Sequence, residues 1–189
     1  MNADLLVYQA KSFYNAYIEL DRLSRDDSNT LLLLFAPLVV NGAFSVELAL
    51  KAILAKNHIE YGKEHNLLIL FQMLPKSFQQ ELWAYLIEKA PEYAGSEKGL
   101  DELILLSNAF VDWRYAFEGK PVPAIESRFL AAFANAAVHT MFSYYNADLL
   151  PATKTESNNE IEQRFHENRE KCKEINLKMI QKKTKEHQL

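Results

Sequence analysis

The run LLLLFAPLVVNGAFSV, residues 31 to 46, with its continuation ELALKAIL, constrains the fold more than any other stretch. It is far too long for a strand, yet Pro37 and Asn41 interrupt it and Glu47 and Lys51 follow it. It therefore falls short of the roughly 20 consecutive apolar residues a membrane span needs. A buried core helix over about residues 36 to 57 is the expectation, with Pro37 in its first turn and LLLLF as a packed lead-in or a kinked extension. The whole chain contains only 5 Gly and 6 Pro in 189 residues, and alternating strand patterns are hard to find, so the remaining elements also read as helices. The expected fold is all-α: a bundle of about five to six helices with an additional C-terminal amphipathic helix.

Helical spacing of Leu6, Phe13, Tyr17 and Leu20 predicts a first helix over about 3 to 25. HNLLILFQMLP predicts a short third helix stopped by Pro75, and SFQQELWAYLIEKA a fourth with Ser77 as its cap. A fifth runs from about Leu100 to Glu118, and a sixth from about Ile125 to Asn146, where AAFANAA lets a neighbour approach closely. Composition changes at residue 154, so the expected organisation is a bundle over 1–153 and a charged helix or tail over 154–189. In that tail Ile161, Phe165, Asn168, Cys172, Ile175 and Met179 recur at spacings of four and three. They form a short coiled-coil-like seam that lies on its own bundle, pairs between two chains, or belongs to a frayed, mostly disordered tail.

A formal net charge of -4 gives no overall basic footprint for nucleic acid, although RNA contact through a local patch stays open. One cysteine, Cys172, excludes an intramolecular disulfide and a cysteine-rich zinc site. No HExxH, paired ExxH, GxxxxGK[ST], GxGxxG or GxSxG motif occurs, so the expectation is no metal, no cofactor and no hydrolase triad. The N-terminal segment lacks a basic-then-apolar signal layout. Together with the interrupted apolar run, this leads to the expectation of a cytoplasmic protein with no membrane association.

Two charges sit inside apolar helical stripes. Glu47 is central to the face formed by Val40, Ala43, Phe44, Leu50, Lys51 and Leu54. Arg114 stands between Phe110, Val111 and Phe117. Burying either charge alone is costly. The expectation is therefore that Glu47 and Arg114 meet, with Asp112 or Glu118 as a further partner, so that Glu47, Lys51, Asp112 and Arg114 form a candidate binding set. Two readings stay open: a buried pair that fixes helix register, or a polar cleft in which Arg114 holds a phosphate or stabilises developing charge. For catalysis the candidates are Arg114, Glu118 and His139, the last in line with Ala132, Asn135 and Phe142.

The order of residues also carries a resemblance. Ala43, Glu47, Lys51 and Leu54, followed after a loop by His65, Leu67 and Leu70, resemble the central helices of the HEPN superfamily (higher eukaryotes and prokaryotes nucleotide-binding). The helix ending in WRYAFEG looks like that family's late, arginine-bearing helix. The resemblance covers roughly residues 35 to 118. It implies a helical bundle, a homodimer, and in catalytic members a metal-independent ribonuclease of toxin–antitoxin or phage-defence systems, with a nucleotidyltransferase-type antitoxin as a partner. Such members carry an Arg followed four to six residues later by His. After Arg114 this chain has Tyr115, Ala116, Phe117, Glu118, Gly119, Lys120 and Pro121. The expectation is accordingly a non-catalytic, dimeric interaction or nucleotide/RNA-binding module, the alternative being a metal-independent ribonuclease.

Overall fold

A computed structural model describes residues 3–25, 28–94, 97–118 and 121–145, together with 170, 173 and 174. The described residues form seven α-helices, two single 3-10 turns and no strand, so the fold is all-α. The helices are α1 (Ala3–Ser24), α2 (Ser28–Lys56), α3 (Leu67–Met73), α4 (Lys76–Lys89), α5 (Glu97–Leu106), α6 (Ala109–Arg114) and α7 (Ser127–Tyr145). The chain divides into two units, Met1–Ala147 and Asp148–Leu189. In the second unit Glu170 and Lys173 form an ion pair at 2.6 Å. The expected seam from Ile161 to Met179 lies outside the described residues.

The apolar run becomes the central helix. In α2, Leu38, Val39, Ala43, Val46, Leu50, Ile53 and Leu54 are buried. Residues Leu33–Lys56 are long and apolar enough to cross a membrane by length and composition, but here they are packed against α1, α6, α3 and α7. α1 runs antiparallel along α2: Phe13 meets the Phe44 ring edge-on at 4.5 Å, and Tyr17 covers Gly42. A Cβ at position 42 would stand 3.0 Å from Tyr17 Cδ2 and 3.1 Å from Leu130 Cδ1. Glycine is what allows α1 and α7 to close on α2 together. In α7 the alternation of Phe129, Leu130 and Phe133 with Ala132, Ala134, Ala136 and Ala137 fills the space between α2 and α4. Its end is tied to α2 by Tyr145, whose hydroxyl donates to Ala52 O at 2.9 Å. Lys56 Nζ completes the tie by donating to Tyr144 O at 2.6 Å.

Four boundaries differ from those expected of the sequence. α2 continues back through Pro37 to Ser28, so LLLLF is helical extension rather than lead-in. α4 starts at Lys76, its N-cap is Pro75, and no side chain caps it, so Ser77 lies inside the helix instead of capping it. His65 precedes α3, because Asn66 is the N-cap and its side chain accepts from Ile69 N at 3.0 Å. The expected fifth helix is broken at Ser107–Asn108 into α5 and α6. There Ser107 O turns out of the helical path and accepts from Leu67 N at 2.8 Å.

α2 ends in a Schellman motif: Ile59 N donates to Leu54 O at 3.0 Å and His58 N to Ala55 O at 3.1 Å. The residue that closes it, His58, adopts φ 58°, a left-handed conformation that costs any residue with a Cβ. Replacing it with glycine removes that strain and adds some unfolded-chain entropy. His58→Gly is expected to stabilise the fold by about 0.5–1 kcal/mol, raising the melting temperature by roughly 2 °C. An unchanged or lower midpoint in thermal denaturation would contradict this account of the turn.

Candidate functional site

Glu47 is buried on α2, only 1% exposed. An ionised carboxylate there needs donors, and Oε1 receives two: Lys51 Nζ at 2.7 Å and His65 Nδ1 at 2.9 Å. Lys51 follows from helical spacing, one turn along the same face, and it is itself buried beneath the Tyr61 ring, 5.4 Å away. Among the described residues Glu47 Oε2 has no hydrogen-bond partner. The expected ion pair between Glu47 and Arg114 is therefore not the contact made. Lys51 and His65 occupy the place assigned to the guanidinium.

His65 reaches Glu47 from a loop with several anchors. Glu64 Oε1 accepts from the backbone N–H groups of His65 and Asn66, at 2.9 and 2.7 Å. Asn66 Nδ2 donates to Asn108 Oδ1 at 3.0 Å, and Leu67 N is held by Ser107 O. The His65 side chain remains half exposed. Glu47, as an ionised carboxylate beside Lys51, can only accept, so His65 Nδ1 carries the proton of this contact. In a neutral imidazole that leaves Nε2 as the basic nitrogen, the arrangement of a carboxylate-oriented general base.

Arg114 is exposed rather than buried. The break at Ser107–Asn108 ends the continuous stripe on which its burial was expected, and α6 carries Arg114 at its C-terminal end. Its guanidinium lies over the Phe110 ring at 4.8 Å and over the Tyr115 ring at 4.6 Å, and Nη2 donates to the Tyr115 hydroxyl at 2.9 Å. Phe110 in turn stacks on Phe44 at 4.3 Å. The His65 ring centre stands 6.3 Å from that of Phe110. Phe110 thus carries the arginine on one side of the site and borders the Glu47–His65 pair on the other.

The other expected residues separate. Asp112 is half buried in α6, while Glu118 is exposed in the 3-10 turn Ala116–Glu118. His139 is exposed on α7 and stacks on Tyr85 of α4 at 3.9 Å. It belongs to the α4–α7 face, not to the group formed by α2, the His65 loop and α6. The imidazole that borders Phe110, on which Arg114 lies, is His65, which the sequence pattern places only at the edge of a loop. Its signal is present in the Glu-x-x-x-Lys and His-x-Leu spacings, but only the tertiary contact joins them.

Removing Glu47 leaves Lys51 buried without a counter-charge. Glu47→Ala is expected to cost on the order of 3–5 kcal/mol, lowering the melting temperature by roughly 10 °C. Glu47→Leu combined with Lys51→Met should recover much of the loss, because no charge then stays buried. Equal midpoints for Glu47→Ala and the parent in calorimetry would show that the pair carries no such energy.

No curated protein and no solved structure matches the chain. Residues 38–128, which hold Glu47, Lys51, His65 and Arg114, match the family model described as the HEPN domain.

Proposed function

We propose that this protein is a non-catalytic RNA-binding module that contacts single-stranded RNA through Arg114, Tyr115 and the His65 edge. The observation that carries this reading is the exposed guanidinium held between Phe110 and Tyr115. A sandwiched guanidinium keeps its plane while its outer N–H edge meets a phosphate. The half-exposed rings of Tyr115 and His65 suit base stacking, and the HEPN match supports an RNA-directed role. The expected homodimer and a nucleotidyltransferase-type partner belong to the same proposal. Fluorescence anisotropy with a labelled single-stranded oligoribonucleotide tests the contact. Arg114→Ala should weaken binding roughly tenfold, since a cation or ring stacked at such a surface is worth about 1–3 kcal/mol. Equal affinity for parent and variant would remove Arg114 from the interface.

One observation favours a second reading, a metal-independent ribonuclease. The Glu47–His65 pair supplies a general base of the kind needed to deprotonate a ribose 2′-hydroxyl, with Arg114 as the group for developing phosphate charge. Incubation with structured RNA in excess chelator separates the two. The first reading expects intact RNA. Cleavage that disappears in both His65→Gln and Arg114→Ala, with folding retained, would replace the first reading by the second.

A further inference from the structure

A short chain of hydrogen bonds fixes the direction of a polar group at the His65 edge of the site. Asn66 caps α3, and its Oδ1 accepts from Ile69 N at 3.0 Å. That bond assigns the amide, because only its oxygen can accept. The Nδ2 of Asn66 then donates to Asn108 Oδ1 at 3.0 Å, which assigns the second amide in turn. With its oxygen turned to Asn66, Asn108 is left with the two N–H donors of Nδ2. Asn108 is exposed, and among the described residues its Nδ2 meets no partner.

Asn66 is also bound to an acceptor. Glu64 Oε1 accepts from the backbone N–H groups of His65 and Asn66, at 2.9 and 2.7 Å, which holds the carboxylate in one orientation. Its other oxygen, Oε2, meets no partner among the described residues. One residue, Asn66, thus ties an aimed donor and an aimed acceptor to the same loop. Next to it in that loop is His65, whose ring is half exposed. Neither group is needed for a phosphate at Arg114, and a guanidinium reads no base.

We propose that Asn108 Nδ2 and Glu64 Oε2 read the base stacked on His65, selecting a keto oxygen beside a ring N–H, the edge that uracil and guanine present. Cytosine and adenine present the reverse, an amino group beside a bare ring nitrogen. They would set donor against donor and acceptor against acceptor. Stacking alone does not discriminate, since every base has a π-face. The selection comes from two groups whose directions are fixed before the strand arrives, so little rotamer freedom is lost on binding. The inference rests on the proposed RNA contact at Arg114 and names the strands that contact takes, single-stranded RNA rich in uridine or guanosine.

Fluorescence anisotropy with short labelled oligouridine and oligocytidine tests the proposal, because the two bases differ only along this edge. The full chain should bind oligouridine roughly tenfold more tightly. A strand of N3-methyluridine keeps the keto oxygen but lacks the N–H, and should bind as weakly as oligocytidine. Asn108→Asp combined with Glu64→Gln exchanges donor for acceptor at both positions and leaves the net charge unchanged. Both replacements keep the oxygen that accepts from Asn66 or from the loop backbone, so the melting temperature should stay close to the parent's. This double variant should prefer oligocytidine. Equal binding of the two strands by the parent overturns the inference and leaves the RNA contact standing, as does a folded double variant that still prefers oligouridine. Should the double variant unfold, the N3-methyluridine strand decides, and undiminished binding of it by the parent overturns the inference. Binding of neither strand overturns both the inference and the reading on which it rests.

Discussion

The buried carboxylate of Glu47 is the constraint around which the α2–α3–α6 region is arranged. One of its partners, Lys51, comes with the helix at no topological cost. The other, His65, lies 18 residues on and must be delivered by a loop. That delivery requires the left-handed turn at His58 and the Asn66 cap. It also requires the carbonyl of Ser107, which accepts from Leu67 N. Ser107 lies just past the end of α5, and its carbonyl accepts this tertiary bond between α5 and α6. The bond that seats the histidine loop is therefore coupled to the break between α5 and α6. That same break turns Arg114 out of the core.

This coupling explains which parts of the molecule are legible in the sequence. The central helix, the all-α architecture and the importance of Glu47 and Arg114 follow from periodicity and from charges placed among apolar residues. The pairing of those two charges does not follow. It assumes one helix from Leu100 to Glu118, and no glycine or proline at Ser107–Asn108 announces the interruption. The break coincides with a tertiary hydrogen bond, which has no local signature. His65 is visible only as a member of a spaced pattern. Its chemistry depends on a carboxylate that helical periodicity alone pairs with a different residue.

The HEPN match covers the segment in which these contacts are made. Within it, the absence of a histidine shortly after Arg114 concerns one stretch of sequence, while Phe110, on which the arginine lies, is also bordered by a histidine from a different loop. Chemistry at a site depends on which groups meet and in what protonation state, not on the order in which the chain visits them. A histidine whose Nδ1 is fixed by a buried carboxylate differs from a free surface imidazole in tautomer and orientation. The choice between a binding module and a ribonuclease is therefore a question about His65.

Arg114 itself argues for contact with something outside the bundle. A buried arginine pair would fix helix register, and Lys51 already meets Glu47 without it. An exposed arginine left free would keep its rotamer freedom and lose it on binding. Here Phe110 and Tyr115 order the guanidinium in advance, and Phe110 is rigid because it stacks on Phe44, which meets Phe13. Three helices thus support the position of one solvent-facing cation. Such ordering adds little to the stability of an exposed side chain, but it lowers the entropy lost when an anion arrives. The preorganisation fits a surface built for recognition better than one that only closes the core.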